Sequence, residues 1–118
     1  MSTVDPTELP GVSVENAMKE LAGGVILVDV REQDEWDVGH APGATLMPLS
    51  ALQERMSELP RESRLLIVCH SGGRSLRATN FLRFEGLDAV NVEGGMAAWA
   101  AAGGPVVVDS HTANADED

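Results

Sequence analysis

The sequence predicts a single α/β domain built on an open, mostly parallel sheet with helices on both faces. Three observations predict it. A chain of 118 residues has room for one domain. Strand-length apolar runs alternate with helix-length amphipathic segments over 11–108. The two strongest runs, Val25–Val30 and Leu65–Val68, are apolar at nearly every position rather than at every second one. That is the pattern of strands covered on both faces, as parallel sheets are. The flanks fall outside the alternation. Segment 1–10 is acidic, is broken by Pro6 and Pro10, and is expected to be flexible. Segment 109–118 holds four acids, no base and no branched apolar residue, and is expected to be a disordered acidic tail.

The elements follow in order. A short strand is expected near Gly11–Ser13, and Ser13 is placed to cap a helix over Val14–Leu21 that ends at Gly23-Gly24. The strand Val25–Val30 comes next, then a helical turn over Glu32–Val38 and a loop at Gly39-His40-Ala41-Pro42-Gly43. Thr45–Leu49 reads as a strand, and Ser50 as the cap of a helix over Ala51–Leu59, where Leu52, Met56 and Leu59 fall at helical spacing. After a break at Pro60–Arg64, the strand Leu65–Val68 runs straight into Cys69. A glycine-bearing loop leads into a helix over Ser75–Glu85, followed by a strand at Ala89–Val92. Gly94-Gly95 open an alanine-rich helix with Met96 and Trp99, stopped by Gly103-Gly104-Pro105. Trp36 and Trp99 are expected to be core anchors, and His40 a turn residue.

Composition narrows the function. Apolar residues at 43% suit a chain that buries roughly two-thirds of its unfolded surface, enough for a core without staples. Nineteen acids against eight bases give a net charge of -11, which repels duplexes and anionic membranes, so neither is an expected partner. No apolar run approaches the roughly 20 residues of a membrane span, and the N-terminus lacks the basic start and apolar stretch of a secretory signal. One cysteine excludes an intramolecular disulfide and a cysteine-rich zinc site. A reduced, cytoplasmic setting is therefore expected, and there a lone thiol stays reactive.

That thiol sits where chemistry collects. In open α/β sheets ligands bind at the carboxyl ends of strands. Cys69 ends the second of the two strongly apolar strands and is followed by His70-Ser71-Gly72-Gly73-Arg74-Ser75. Two glycines let successive N–H groups turn inward as an anion cup, and the next helix adds the positive end of its dipole. Arg74 brings a permanent cation, expected to orient an anionic donor. Each feature favours thiolate over thiol. A cysteine at a strand end is often inert packing, but packing does not call for a Gly-Gly-Arg-Ser turn behind it. His70 is read as loop lining, because neighbours in a tight loop point apart. Arg77, one turn on, is expected either to add positive potential at the mouth or to lie on a solvated face. Asp29 and Arg31, at the carboxyl end of the neighbouring strand, are rim candidates.

Loop length separates reaction classes. Cys69 to Arg74 is C-x4-R. The C-x5-R loop of protein tyrosine phosphatases, one residue longer, fits a tetrahedral phosphoryl group. The smaller cup suits the outer sulfur of a persulfide or thiosulfate, and no acid is identifiable to protonate a leaving oxygen. Sulfur transfer is preferred. A phosphatase or arsenate reductase on the same cup is the alternative, and a sulfur-carrying or docking module the reading from another class.

The sequence resembles a single-domain rhodanese (thiosulfate sulfurtransferase). The match is carried by Leu27-Val28-Asp29-Val30-Arg31-Glu32 with Glu35-Trp36 and Gly39-His40-Ala41-Pro42-Gly43-Ala44, by the Cys69–Ser75 loop, and by Val92-Glu93-Gly94-Gly95 with Trp99. The resemblance implies a rhodanese-like parallel sheet and ping-pong transfer through a persulfide on Cys69, held by the loop. Thiosulfate or another persulfide donor would give the sulfur. Cyanide in vitro, a small thiol or a protein sulfur-relay partner would take it, with no metal or organic cofactor. It also implies that Arg31 pairs an acid and that Asp29 bonds backbone N–H groups.

Overall fold

Burying both faces of its apolar strands gives this chain a three-layer arrangement. The computed structural model describes residues 11–108; the expected N-terminal segment 1–10 and acidic tail 109–118 lie outside the described residues. Five strands form one sheet: β1 (Gly11–Val12), β2 (Ile26–Asp29), β3 (Thr45–Leu46), β4 (Arg64–Val68) and β5 (Asp88–Val92). Their spatial order is β1-β5-β4-β2-β3, and every pair is parallel. Helices α1 (Val14–Ala22), α2 (Gln33–Val38), α3 (Leu52–Arg55), α4 (Gly73–Phe84) and α5 (Gly95–Ala101) make the crossovers.

The alternation of side chains along β4 builds two cores. Leu65, Ile67 and then Cys69 point to one face, where Leu52 of α3 and Ala78 and Leu82 of α4 cover them. Leu66 and Val68 point to the other, against Val14 and Ala17 of α1 and Met96 and Trp99 of α5. Each fully buried aliphatic side chain contributes about 1.5–3 kcal/mol over its exposed state. Ser13 caps α1 as expected: the Asn16 N–H donates to its Oγ at 3.1 Å. Gly23 and Gly24 close the helix by donating to the carbonyls of Glu20 and Leu21 respectively.

Five expectations change. The strand at Thr45–Leu49 shortens to Thr45–Leu46, since Pro48 has no N–H to give and the chain turns to send the Leu49 N–H to the Val30 carbonyl. The helix over Ala51–Leu59 is instead a 3₁₀ turn at Leu49–Ala51, one α-turn at α3 and a 3₁₀ turn at Met56–Glu58. Packing of Leu49, Leu52, Met56 and Leu59 onto the core dictates this path, and the segment is too short for helix propagation to prevail. Ser50 therefore caps nothing, and its hydroxyl donates to the Glu32 carboxylate at 3.2 Å. Trp36 is not a core anchor. It lies half-buried on α2, a helix with no buried residue, and stacks on His40 with ring centroids 3.6 Å apart. Trp99, by contrast, is buried and donates from Nε1 to the Pro105 carbonyl at 2.8 Å. His40, expected in a turn, instead forms an isolated antiparallel bridge, tied twice to Val107 through the backbone.

Candidate active site

Cys69 continues the alternation of β4, so its side chain enters the α4 face just as the chain leaves the sheet. The residue is 1% exposed. His70, Ser71 and Gly73 are exposed around it, and Gly72 takes φ +114, a conformation that side-chain-bearing residues rarely adopt. This turn brings the Gly72 N–H to 3.1 Å from Sγ. Burial pushes the Cys69 thiol up. Hydrogen bonds from the Ser75 hydroxyl and from the N–H groups of Ser75, Gly72 and Ser71 outweigh it, so the thiol is held below its ordinary value. Of the loop donors expected from sequence, the Gly72 N–H is the one within hydrogen-bond distance of sulfur among the described residues.

The back wall of the loop was not anticipated. Gly95 (φ +61) packs against the loop so closely that a Cβ there would overlap the carbonyl oxygens of Cys69 and His70. The next two N–H groups of α5 use that proximity: Met96 donates to the Cys69 carbonyl at 2.7 Å and Ala97 to the His70 carbonyl at 2.9 Å. With the loop carbonyls satisfied from behind, its amides are left to face the sulfur. The signal for this was the Gly94-Gly95 pair, read only as a helix opening.

Arg74 is committed elsewhere than expected. Its Nη1 and Nη2 donate to the two oxygens of Glu35, both at 2.7 Å, in an end-on bidentate pair linking α4 to α2. Glu35 also accepts from the Glu32 N–H at 3.0 Å, closing the capping box of α2. The Arg74 bond, with help from that N–H and against the cost of burial, holds the Glu35 carboxyl down at about 2. Arg74 in turn holds its proton more tightly than usual. Glu35 is a site residue to which sequence reading gave no role, although it stood inside the quoted pattern.

The rim candidates divide. Asp29 and Arg31 are 0% and 6% exposed, so they are not rim residues. Arg31 Nε and Nη2 donate to the Asp29 carboxylate, Asp29 Oδ1 accepts the Arg31 N–H at 3.0 Å, and Nη2 also reaches the Gly39 carbonyl at 2.8 Å. They turn inward because each completes the other's hydrogen bonding, which an open rim does not require. Arg77 is exposed and lines a shallow groove with Leu49, Leu52, Gln53 and Phe81, with no carboxylate partner among the described residues. Ser75, fully buried, donates to the Gly72 carbonyl at 3.2 Å or to Asn91 Oδ1 at 2.6 Å. Among the described residues no group of three His, Cys, Asp or Glu side chains is placed to hold a metal ion, and no helix is long and apolar enough to cross a membrane.

A buried thiol with a loop amide aimed at its sulfur is a geometry that can stabilise negative charge there. Comparison with known proteins gives the same direction. The chain is 40% identical over 84 residues to a protein named sulfurtransferase from Allochromatium vinosum, an alignment covering 70% of this chain and 78% of that one. It is 32% identical over 101 residues to a protein named putative sulfur carrier protein YrkF from Bacillus subtilis, covering 83% of this chain and 55% of that one. A crystal structure of a rhodanese-related protein from Thermoplasma volcanium superposes with a TM-score of 0.80 at 32% identity, over 85% of this chain and 99% of that one. Residues 13–102 match the rhodanese-like domain, and with that span the chain belongs to this family.

Proposed function

We propose that this protein is a sulfurtransferase that moves sulfane sulfur through a persulfide on Cys69. The Cys69 thiolate attacks the outer sulfur of thiosulfate or another persulfide donor. In thiosulfate the S–S bond breaks, sulfite leaves with its electron pair, and Cys69–S–S⁻ remains. A thiol acceptor, or cyanide in vitro, then attacks the outer sulfur and regenerates the thiolate. The observation that carries this reading is the Gly72 N–H at 3.1 Å from Sγ, backed by a loop whose carbonyls are tied to α5. A nearly covered sulfur suits a slim donor atom. The bulkier phosphoryl group of the phosphatase alternative would have to recruit Arg74, and that guanidinium is already bonded to Glu35.

The likeness to a protein named as a putative sulfur carrier supports a protein relay partner as acceptor, and a lone thiol suits a reduced, cytoplasmic compartment. The functional unit spans 11–108. Intact-mass measurement after incubation with thiosulfate tests the proposal: wild type gains one sulfur atom and Cys69→Ser gains none. An unmodified wild type across thiosulfate, mercaptopyruvate and persulfide donors overturns it.

A further inference from the structure

Helix α4 differs in charge from everything around it. It carries three of the chain's eight bases and none of its nineteen acids. Two of those arginines are engaged: Arg74 by Glu35, and Arg83 by the Ala89 carbonyl at 3.0 Å, with Asp88 3.8 Å away. Arg77 is exposed and has no carboxylate partner among the described residues. The same outer face bears Leu76, 41% exposed, and Phe84, 85% exposed, with Asn80 between them. Positions 76, 80 and 84 are each four apart and 77 is three from 80, so all lie on one side of the helix. Single exposed apolar residues are ordinary; here two flank an unpaired cation.

Toward α3 this face falls into a groove lined by Leu49, Leu52, Gln53, Arg77 and Phe81. Its floor belongs to the core that holds Cys69: Leu52 is buried in that core, and Leu49 and Phe81 pack on it. The Leu49 N–H donates to the Val30 carbonyl, and the Val30 N–H donates to the carbonyl of Val68, the residue before Cys69. The groove therefore opens beside the β4 exit. Its volume of about 240 Å³ is below the roughly 300–1,000 Å³ of small-molecule pockets, but it admits an apolar side chain. Charge chooses the occupant. A second copy seated through a two-fold axis would set Arg77 against Arg77. A duplex or lipid surface is broad enough to meet the acid-rich remainder of the chain. A short acidic segment meets α4 alone.

We propose that the outer face of α4 and its groove dock an acidic segment of the protein that accepts sulfur from Cys69. A carboxylate of that segment pairs with Arg77, and a neighbouring apolar side chain enters between Leu52 and Phe81. This rests on the sulfur-transfer reading above and deepens it by naming the acceptor's chemistry. In the step it serves, the partner's thiolate attacks the outer sulfur of the Cys69 persulfide. The S–S bond breaks, its electron pair stays on Cys69, and the partner carries the sulfur away as its own persulfide.

The test titrates the full chain into three fluorescent synthetic peptides, read by anisotropy. Each has one leucine and one serine, and its remaining positions are all aspartate, all asparagine or all lysine. The serine stands in for the acceptor cysteine, so no sulfur chemistry is needed. The aspartate peptide is expected to bind about tenfold tighter than the asparagine peptide and the lysine peptide weakest, with the differences shrinking in high salt. Arg77→Glu should erase the preference for aspartate, and Gln53→Arg, which adds a cation to the groove, should tighten the aspartate peptide severalfold. Lys19→Glu makes the same charge change as Arg77→Glu on α1, across the sheet, and should leave the preference in place. Equal binding of the three peptides, no binding of the aspartate peptide at about 1 mM, or an equal loss in Lys19→Glu overturns the proposal. So does binding that appears only in the Asp116→Asn/Glu117→Gln/Asp118→Asn variant, which would assign the face to the chain's own tail. A chain that sediments as a dimer, and as a monomer in Arg77→Glu, would assign it to a second copy and overturn the proposal likewise. Cysteine versions of the peptides are then expected to discharge sulfur-loaded wild type in the same order of rate. Failure of wild type to load sulfur sinks the persulfide reading and leaves the binding result standing, whereas equal binding sinks the docking proposal alone.

Discussion

Strands β2 and β4 lie side by side and end in register, Asp29 opposite Val68, yet their exits differ. At the β2 exit the chain seals itself. Asp29 and Arg31 fold back into a buried ion pair whose hydrogen bonds are completed by the Arg31 N–H and the Gly39 carbonyl. At the β4 exit the carbonyls of Cys69 and His70 are taken up by α5, and the amide side of the loop is turned on a thiol. One exit spends its polar groups on holding the fold, the other on holding a charge that exists only when sulfur is ionised. The sealed exit should therefore govern stability and the open one reactivity.

The sharpest way to break that contrast is to exchange the readouts. Asp29→Ala leaves Arg31 buried and unpaired and is expected to cost about 3–5 kcal/mol in urea unfolding. Cys69→Ser is expected to change stability by about 1 kcal/mol or less while ending sulfur loading. A mild Asp29→Ala, or a Cys69→Ser that unfolds, would erase the distinction. Gly95→Ala tests the back wall: the left-handed φ costs about 1–3 kcal/mol, and the displaced loop should slow sulfur loading by about 10²-fold, read by timed intact mass.

Glu35→Gln sharpens the comparison at the next level down. The Glu35 carboxyl is depressed from 4.5 to about 2, so its stabilising contribution is full above pH 4.5 and is lost as pH falls through about 2. The pair with Arg74 is a third exposed on each side, so solvent screening limits it to about 1 kcal/mol. The difference in urea midpoint between wild type and Glu35→Gln should thus shrink as pH drops from 4.5 toward 2. A difference that stays constant over that window would refute the assignment. The smallest effect is expected at Arg77→Ala: loading by thiosulfate should change by less than about threefold, and that residual change should disappear in high salt.

The parts legible in the sequence were those written in local chemistry. Val25–Val30 and Leu65–Val68 announced buried parallel strands, Ser13 announced a cap, and Cys69–Ser75 carried thiol, glycines and helix start within one short stretch. What stayed hidden depends on contacts between distant segments. Arg74 finds Glu35 across 39 residues, and α5 reaches the loop from Met96 to Cys69. Spacing says nothing of such meetings. Asn91 did carry a signal, a polar residue inside an otherwise apolar strand, but its partner Ser75 emerges only once α4 is laid on β5. Trp36 misled because size was taken for burial, whereas a short surface helix gives a large ring only a neighbouring imidazole to cover it.

The reach of Gly95 and Met96 back to Cys69 has a consequence for biosynthesis. A ribosome adding about 5–20 residues per second delivers the cysteine seconds before the segment that buttresses it. Until that segment docks, the carbonyls of Cys69 and His70 lack their α5 donors and the loop is unbraced. The surroundings of the thiol are thus finished only once α5 has been made.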